Sequence, residues 1–150
     1  MALCLRYVRQ PGDATEVLND TFLKVFRQLK RYDTTKGELY TWMRKILINT
    51  ALDSLRKQKV LRGHEVPMPA AEEPGIENAA ISKLNSDTLL GLILQLPVTT
   101  RLVFNLYTVD GFSHREIADM LGMSEGTSRW HLSDARRQLK LIIHLMEPKV

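Results

Sequence analysis

Apolar residues in this chain recur every three or four positions, and no segment keeps the strict alternation of a half-buried strand. From Asp13 onward, Ala14, Leu18, Thr21, Phe22, Val25 and Leu29 form one stripe, the mark of a helix buried along one side. "DATE" reads as a capping box, with Asp13 as N-cap and Glu16 three residues on. "RYDTTKGEL" breaks the pattern, with Gly37 as its turn residue. A second helix is predicted from about Glu38 to Lys59. Its inward residues are Leu39, Trp42, Met43, Ile46 and Leu47; Arg44, Lys45, Arg56, Lys57 and Lys59 face outward.

The pattern then lapses. "RGHEVPMPAAEEPG" carries three prolines, two glycines and an acidic bias, which suits an extended, solvated linker. Helical spacing resumes in "AAISKLNSDTLLGLILQL" and stops before Pro97; "VTTRLVFNLYTVDG" gives one more helix, ended by Gly111. The chain therefore reads as all-α: two small helical modules, 1–59 and 78–147, joined by a flexible linker at 60–77.

The last stretch holds the sharpest local signals. Ser113 is a natural N-cap and Glu116 completes its capping box, while Ile117, Ala118 and Leu121 give a short helix its inner face. Gly122 supplies the positive φ of a tight reversal, and Ser124 caps the next helix. Small Gly126 lets two helices approach, and Leu132, Ala135 and Leu139 recur inward. Helix, short glycine turn, helix is the layout of a DNA-binding helix-turn-helix. The outward set on the second helix is Ser128, Arg129, His131, Ser133, Asp134, Arg136 and Arg137, with Trp130 undecided. Arginine can grip phosphate or read guanine edges, and Ser and His can serve either role.

Charge sharpens this picture more than composition does. The net charge is +4 over 150 residues, but residues 1–59 hold twelve Lys/Arg against six Asp/Glu, and residues 60–96 hold two against five. The basic first block suits an anionic partner. Cys4 is the one cysteine, so no disulfide framework or cysteine-based metal cluster is expected. The four histidines are scattered, without metal-ligand spacing, and there is no phosphate loop; no catalytic residue, metal, cofactor or small-molecule substrate is predicted. No apolar run approaches a membrane span, and arginines interrupt the start too early for a signal peptide. A reduced, cytoplasmic compartment is expected.

Three motifs together carry a family resemblance. They are "LP-x3-R-x-VF" from Leu96, "DG-x-S-x2-EIA-x2-LG-x-S-x-GT" from Asp110, and Trp42, Asn49, Asp53 and Arg56 as "W-x6-N-x3-D-x2-R". With their surroundings they resemble the fourth and second conserved regions of bacterial sigma factors, in the two-module layout of the extracytoplasmic-function group. The resemblance implies a transcription initiation factor whose partners are core RNA polymerase (clamp helices and flap), promoter DNA and an anti-sigma factor. It implies minus-thirty-five contacts from Ser124, Thr127, Ser128, Arg129, Trp130, His131, Ser133, Arg136 and Arg137. It implies minus-ten contacts from Lys36, Tyr40, Arg44, Lys45, Asn49 and Arg56, with the Tyr32–Tyr40 loop taking a flipped base. Trp42 reads as core rather than as a stacking platform, while Asn49 and Asp53, four apart, read as a brace between helix and loop.

One face of the Asp13 helix is left over by its core stripe: Glu16, Asn19, Asp20, Leu23 and Arg27. An outward leucine beside two carboxylates suits a basic helical partner, and the resemblance makes that partner polymerase. The family's second region opens with a further helix before the segment matching "RYVR", so this module reads as shortened there. Two alternatives stay open on sequence: a helix-turn-helix regulator, or a truncated sigma-like protein that binds an anti-sigma factor without initiating. A regulator would place a ligand, receiver or dimerisation domain at residues 13–57.

Overall fold

The structure is a computed structural model that describes residues 1–58 and 86–146. The predicted linker, residue 59, the first residues of the second module and residue 147 lie outside the described residues. The chain divides into two compact units, Met1–Arg62 and Gly63–Val150, and the described residues of both are helical without a strand.

In the first unit, α1 (Ala2–Tyr7) is a short helix that the periodicity did not announce. It buries Cys4 and Tyr7, with Val8 just beyond, against α2 (Pro11–Gln28) and α3 (Leu39–Lys57). Six residues are under two turns, too few to establish a period. α2 begins at Pro11, two residues before the predicted cap, with Gln10 as N-cap and no side-chain cap bond. Proline fits the first helical position because its φ is already helical and its missing N–H would have no partner there. Asp13 is thereby carried into the first turn, where its charge meets the positive end of the helix dipole instead of capping it.

The buried stripe of α2 is Ala14, Val17, Thr21 and Val25, with Thr21 Oγ1 donating to the Val17 carbonyl at 2.7 Å. Phe22 and Leu29, predicted inward, are 44% and 46% exposed. The face turned to α1 and α3 is the one with small and β-branched residues, which lets the three helices approach closely. α3 is shifted likewise. Ile48, Thr50, Ala51, Leu52 and Leu55 are its buried residues, whereas Trp42, Met43, Ile46 and Leu47 are half-buried and Leu39 is exposed. Its packed end is the C-terminal half. Thr50 Oγ1 donates to the Ile46 carbonyl at 2.8 Å and accepts from Lys24 Nζ at 3.1 Å, and Lys24 reaches Asp53 at 3.7 Å. These polar ties seal the edge of the α2–α3 packing.

The second unit is built on α7 (Glu125–Met146), against which α4 (Ser86–Ile93), α5 (Val98–Phe104) and α6 (His114–Leu121) all pack. α5 is buried from Thr99 to Phe104 and runs on as a π-helical turn, Asn105–Val109, to Gly111 at φ 77°. At the middle of α7 five consecutive residues, His131 to Ala135, are buried, so that turn is covered on every side. Leu132, Ala135 and Leu139 lie inside as the sequence predicts.

The α2–α3 packing makes a direct stability prediction. Leu52→Ala, removing a side chain 1% exposed, should cost about 2–5 kcal/mol in urea unfolding followed by circular dichroism. Phe26→Ala, at 70% exposure, should stay within about 0.5 kcal/mol of wild type. A large loss for Phe26 or a small one for Leu52 would reverse the assignment of the two faces.

Candidate functional site

The turn between α6 and α7 is built by the residues the sequence singled out. Ser113 Oγ accepts from the Glu116 N–H at 3.3 Å and the Ser113 N–H donates to Glu116 Oε2 at 2.9 Å, a complete capping box. Gly122 closes α6 in the left-handed region, at φ 68° and ψ 40°. Ser124 Oγ then accepts from the Thr127 N–H at 3.0 Å, and the two hydroxyls lie 2.9 Å apart. The N-terminal turn of α7 is thereby fixed, with its N–H groups and positive dipole end directed outward.

Only part of the predicted recognition surface is accessible. Ser128 and His131 are buried, as are Ser133 and Asp134, and none of the four belongs to an outward set. Ser128, His131 and Asp134 each have a polar partner inside the unit, while His131 Nε2 is buried with no hydrogen bond. Ser128 Oγ lies 2.8 Å from His114 Nδ1, and His131 Nδ1 lies 3.0 Å from Thr100 Oγ1. Asp134 accepts from Arg137 Nη2 at 2.5 Å and Gln138 Nε2 at 2.7 Å. The His114 ring also stacks on Tyr107, centroids 4.5 Å apart. Tyr107, His114 and Ser128 therefore lock α6 to α7, a role the sequence did not suggest because its partners are contributed by separate elements.

What remains outward on α7 is Ser124, Arg129 and Arg137, with Thr127, Trp130 and Arg136 half-buried. Arg129 is held by Glu125 at 3.1 Å, one helical turn away. The Trp130 ring meets His131 edge-on at 5.0 Å. Hydroxyls, a helix N-terminus and arginines over two to three turns form a surface for phosphates and base edges.

In the first unit Glu16, Asn19, Asp20, Leu23 and Arg27 are all exposed. Phe22, Phe26 and Leu29 are exposed beside Leu23, so the apolar part of this face is larger than predicted. Glu16 and Asp20 also border a hollow of about 320 Å³ shared with Lys24, Asp53, Arg56 and Lys57. Arg56 is bonded there to Asp53 at 2.8 Å. It lies sixteen residues along α3 from Tyr40, about 24 Å by helical rise, and so stands apart from the loop residues it was grouped with. Asn49 is exposed on the same helix. Asp53 braces α3 to α2 through Lys24, rather than bracing α3 to the loop.

The loop before α3 forms a second hollow, about 230 Å³, whose walls include Arg31, Tyr32, Lys36, Trp42 and Lys45. The Tyr32 and Trp42 rings stand 5.3 Å apart at 42°. Trp42 is therefore a pocket wall and not a core residue. Tyr40 is 70% exposed and takes no part in the wall, and Arg44 is half-buried. Asp33 Oδ1 accepts from the Thr35 hydroxyl at 2.6 Å and the Thr35 N–H at 2.9 Å. These bonds, the hydroxyl first, hold its carboxyl below the usual aspartate value. Cys4 has the opposite displacement, since burial pushes its thiol up and leaves it a packing residue. Among the described residues no group of three or more His, Cys, Asp or Glu is placed to hold a metal, and no helix is long and apolar enough to cross a membrane.

Comparison with known proteins agrees with this geometry. Residues 1–60 match the family described as Sigma-70 region 2, and residues 86–139 match Sigma-70, region 4. The ECF RNA polymerase sigma factor SigE of Mycolicibacterium smegmatis is 30% identical over 92% of this chain; the alignment spans 54% of that protein, about half its length. The ECF RNA polymerase sigma-E factor of Escherichia coli K12 is 29% identical, over 92% of this chain and 77% of its own. In fold, the chain is similar to the sigma factor RpoE of Bartonella quintana, solved in complex with the anti-sigma factor NepR. The TM-score is 0.61 at 20% identity, covering 97% of this chain and 89% of the other. CnrH, solved with the cytosolic domain of CnrY, gives 0.55 at 19% identity over 97% and 80%. With both conserved regions matched in order and each folded around its own core, the chain belongs to the sigma-70 family of transcription initiation factors, in its extracytoplasmic-function group.

Proposed function

We propose that this chain binds core RNA polymerase and directs it to promoters, the first unit serving the minus-ten element and the second the minus-thirty-five element. It performs no catalysis itself, acts in the cytoplasm where polymerase works, and uses residues 60–77 as the tether between its units. The observation that carries this reading is the pairing of a region 2 match with a region 4 match in one chain, each with an exposed polar face. A helix-turn-helix regulator has no use for region 2 where its sensory domain would stand.

The faces divide the work by chemistry. On α2, Asp20 and Glu16 offer carboxylates to a basic helical partner, while Leu23, with Phe22 and Phe26 beside it, offers apolar area. Such a mixture suits a small protein interface with a few residues carrying most of the affinity. On α7, the Ser124-capped end and Arg129 meet the upstream element, and Arg137 lies about 12 Å further along the helix to take phosphate. Ser128 and His131 act behind this surface by holding its angle. Around the hollow before α3, Lys36 and Lys45 attract the strand and the Tyr32–Trp42 wall stacks an unpaired base, which needs no sequence-specific hydrogen bond. The two related folds were both captured with another protein, NepR a named anti-sigma factor, and an anti-sigma factor is the further partner proposed here.

Two substitutions test the division. Asp20→Ala with Leu23→Ala should abolish capture of core polymerase while circular dichroism and direct DNA binding by the second unit stay unchanged. Capture at wild-type level would remove α2 as the docking face. Arg129→Ala should weaken binding to the cognate upstream element by roughly 1–3 kcal/mol if the guanidinium reads a base. A loss that is equal on all sequences, with the salt dependence reduced by about one phosphate contact, would assign it to the backbone instead.

A further inference from the structure

An exposed polar loop samples many conformations, and ordering it on contact with a ligand opposes binding through lost conformational entropy. The loop between α2 and α3 is held by its own groups instead. Asp33 Oδ1 takes both the hydroxyl and the N–H of Thr35, and the Lys36 N–H donates to the Asp33 carbonyl at 3.1 Å. The Asp33 carboxylate also faces Lys36 Nζ at 3.8 Å. On the other side the Tyr32 hydroxyl donates to the Gly37 carbonyl at 2.9 Å. Gly37 sits at φ 142°, a value that side-chain-bearing residues rarely adopt. The loop is thus bonded across its two ends, and the bond that closes it also sets the Tyr32 ring opposite Trp42.

We propose that Asp33 and Tyr32 are positioning residues, which hold the Tyr32–Gly37 turn in its base-accepting form before DNA arrives. The inference rests on the base-binding part of the proposed function and adds what prepares that site. The hollow of about 230 Å³ is smaller than the roughly 300–1,000 Å³ of pockets for drug-sized ligands, so it suits a single unpaired nucleobase rather than a larger ligand. A carboxylate beside a DNA site would repel phosphate if it stood bare. Asp33 instead accepts from Thr35 and faces Lys36, so that the cations Arg31, Lys36 and Lys45 outnumber Glu38, the other carboxylate lining the hollow. Because those hydrogen bonds favour the ionised carboxylate, the turn is complete above the ordinary aspartate value and is lost only as pH falls through the lower folded one.

Trp42 reports on the site directly. The chain has two tryptophans, so full-length proteins all carrying Trp130→Phe leave Trp42 as the sole indole emitter. Titration with a short mixed-sequence single-stranded DNA should quench that emission, and the same sequence as a duplex should not. In this background Tyr32→Phe keeps the ring but removes its bond to Gly37, and Asp33→Ala removes the turn. Each should raise the half-quenching concentration about three- to tenfold, the scale of one lost hydrogen bond. Asp33→Asn keeps an acceptor for Thr35 and should stay within about twofold of the parent. The proposal is overturned if the parent shows no quenching, if Tyr32→Phe and Asp33→Ala titrate as the parent does, or if Asp33→Asn falls as far as Asp33→Ala. Capture of core polymerase, measured on the same proteins, depends on the α2 face. No quenching with capture intact defeats this inference alone, and failed capture in the parent defeats the functional reading.

Discussion

Burial of the middle of α7 constrains everything the second unit can do. Five consecutive side chains, His131 to Ala135, are inside, so no long outward stripe is available to lie along DNA. A helix covered there can present only its N-terminal turns and, further on, isolated arginines. The capping at Ser113 and Ser124 and the left-handed Gly122 then set how that end projects. The Tyr107–His114–Ser128 lock keeps α6 from shifting against it. In the proposed reading, recognition is the work of a helix end, backed by the Ser128–His114 and His131–Thr100 pairs that join it to neighbouring elements.

The first unit reaches its interfaces by a different route. Its core is closed by small and β-branched residues on α2, and by the buried C-terminal half of α3. Close approach of these faces leaves the large residues outside: Phe22, Leu23 and Phe26 on α2, Leu29 just after it, and Tyr40 at the start of α3. Exposed aromatic and aliphatic residues at that density carry no stability of their own, yet they supply area for a partner. Lys24 and Asp53 join the two helices beside this face, so the carboxylates of Glu16 and Asp20 sit on a braced surface. The hollow before α3 lies at the N-terminal end of that helix, whereas the Lys24–Asp53 brace lies toward its C-terminal end.

Much of the fold was legible in local signals. The Ser113–Glu116 box, Gly122 and the Ser124 cap depend on residues three or four apart, and all formed as the sequence indicates. What failed was rotation. Helical spacing admits neighbouring stripes a residue apart, and only packing chose Val17 over Leu18 and Phe22 on α2, or Ile48 and Leu52 over Trp42 on α3. Pro11, not Asp13, set the start of α2. Ser128 and His131 looked outward because polar residues usually are; their partners, His114 and Thr100, are 14 and 31 residues away. No local pattern marks such pairs. The exposed Glu16–Arg27 face was legible because a leucine between carboxylates had no explanation in the core stripe.

A chain that joins polymerase to promoter must support promoter-dependent run-off transcription. Bacterial core RNA polymerase, purified free of other sigma factors, would be supplied with this chain and a template library covering its source genome. Transcripts with discrete start sites should appear that require the chain and share upstream elements at fixed spacing. Promoter DNA bound by the chain, with no chain-dependent transcript from any template, would contradict that role.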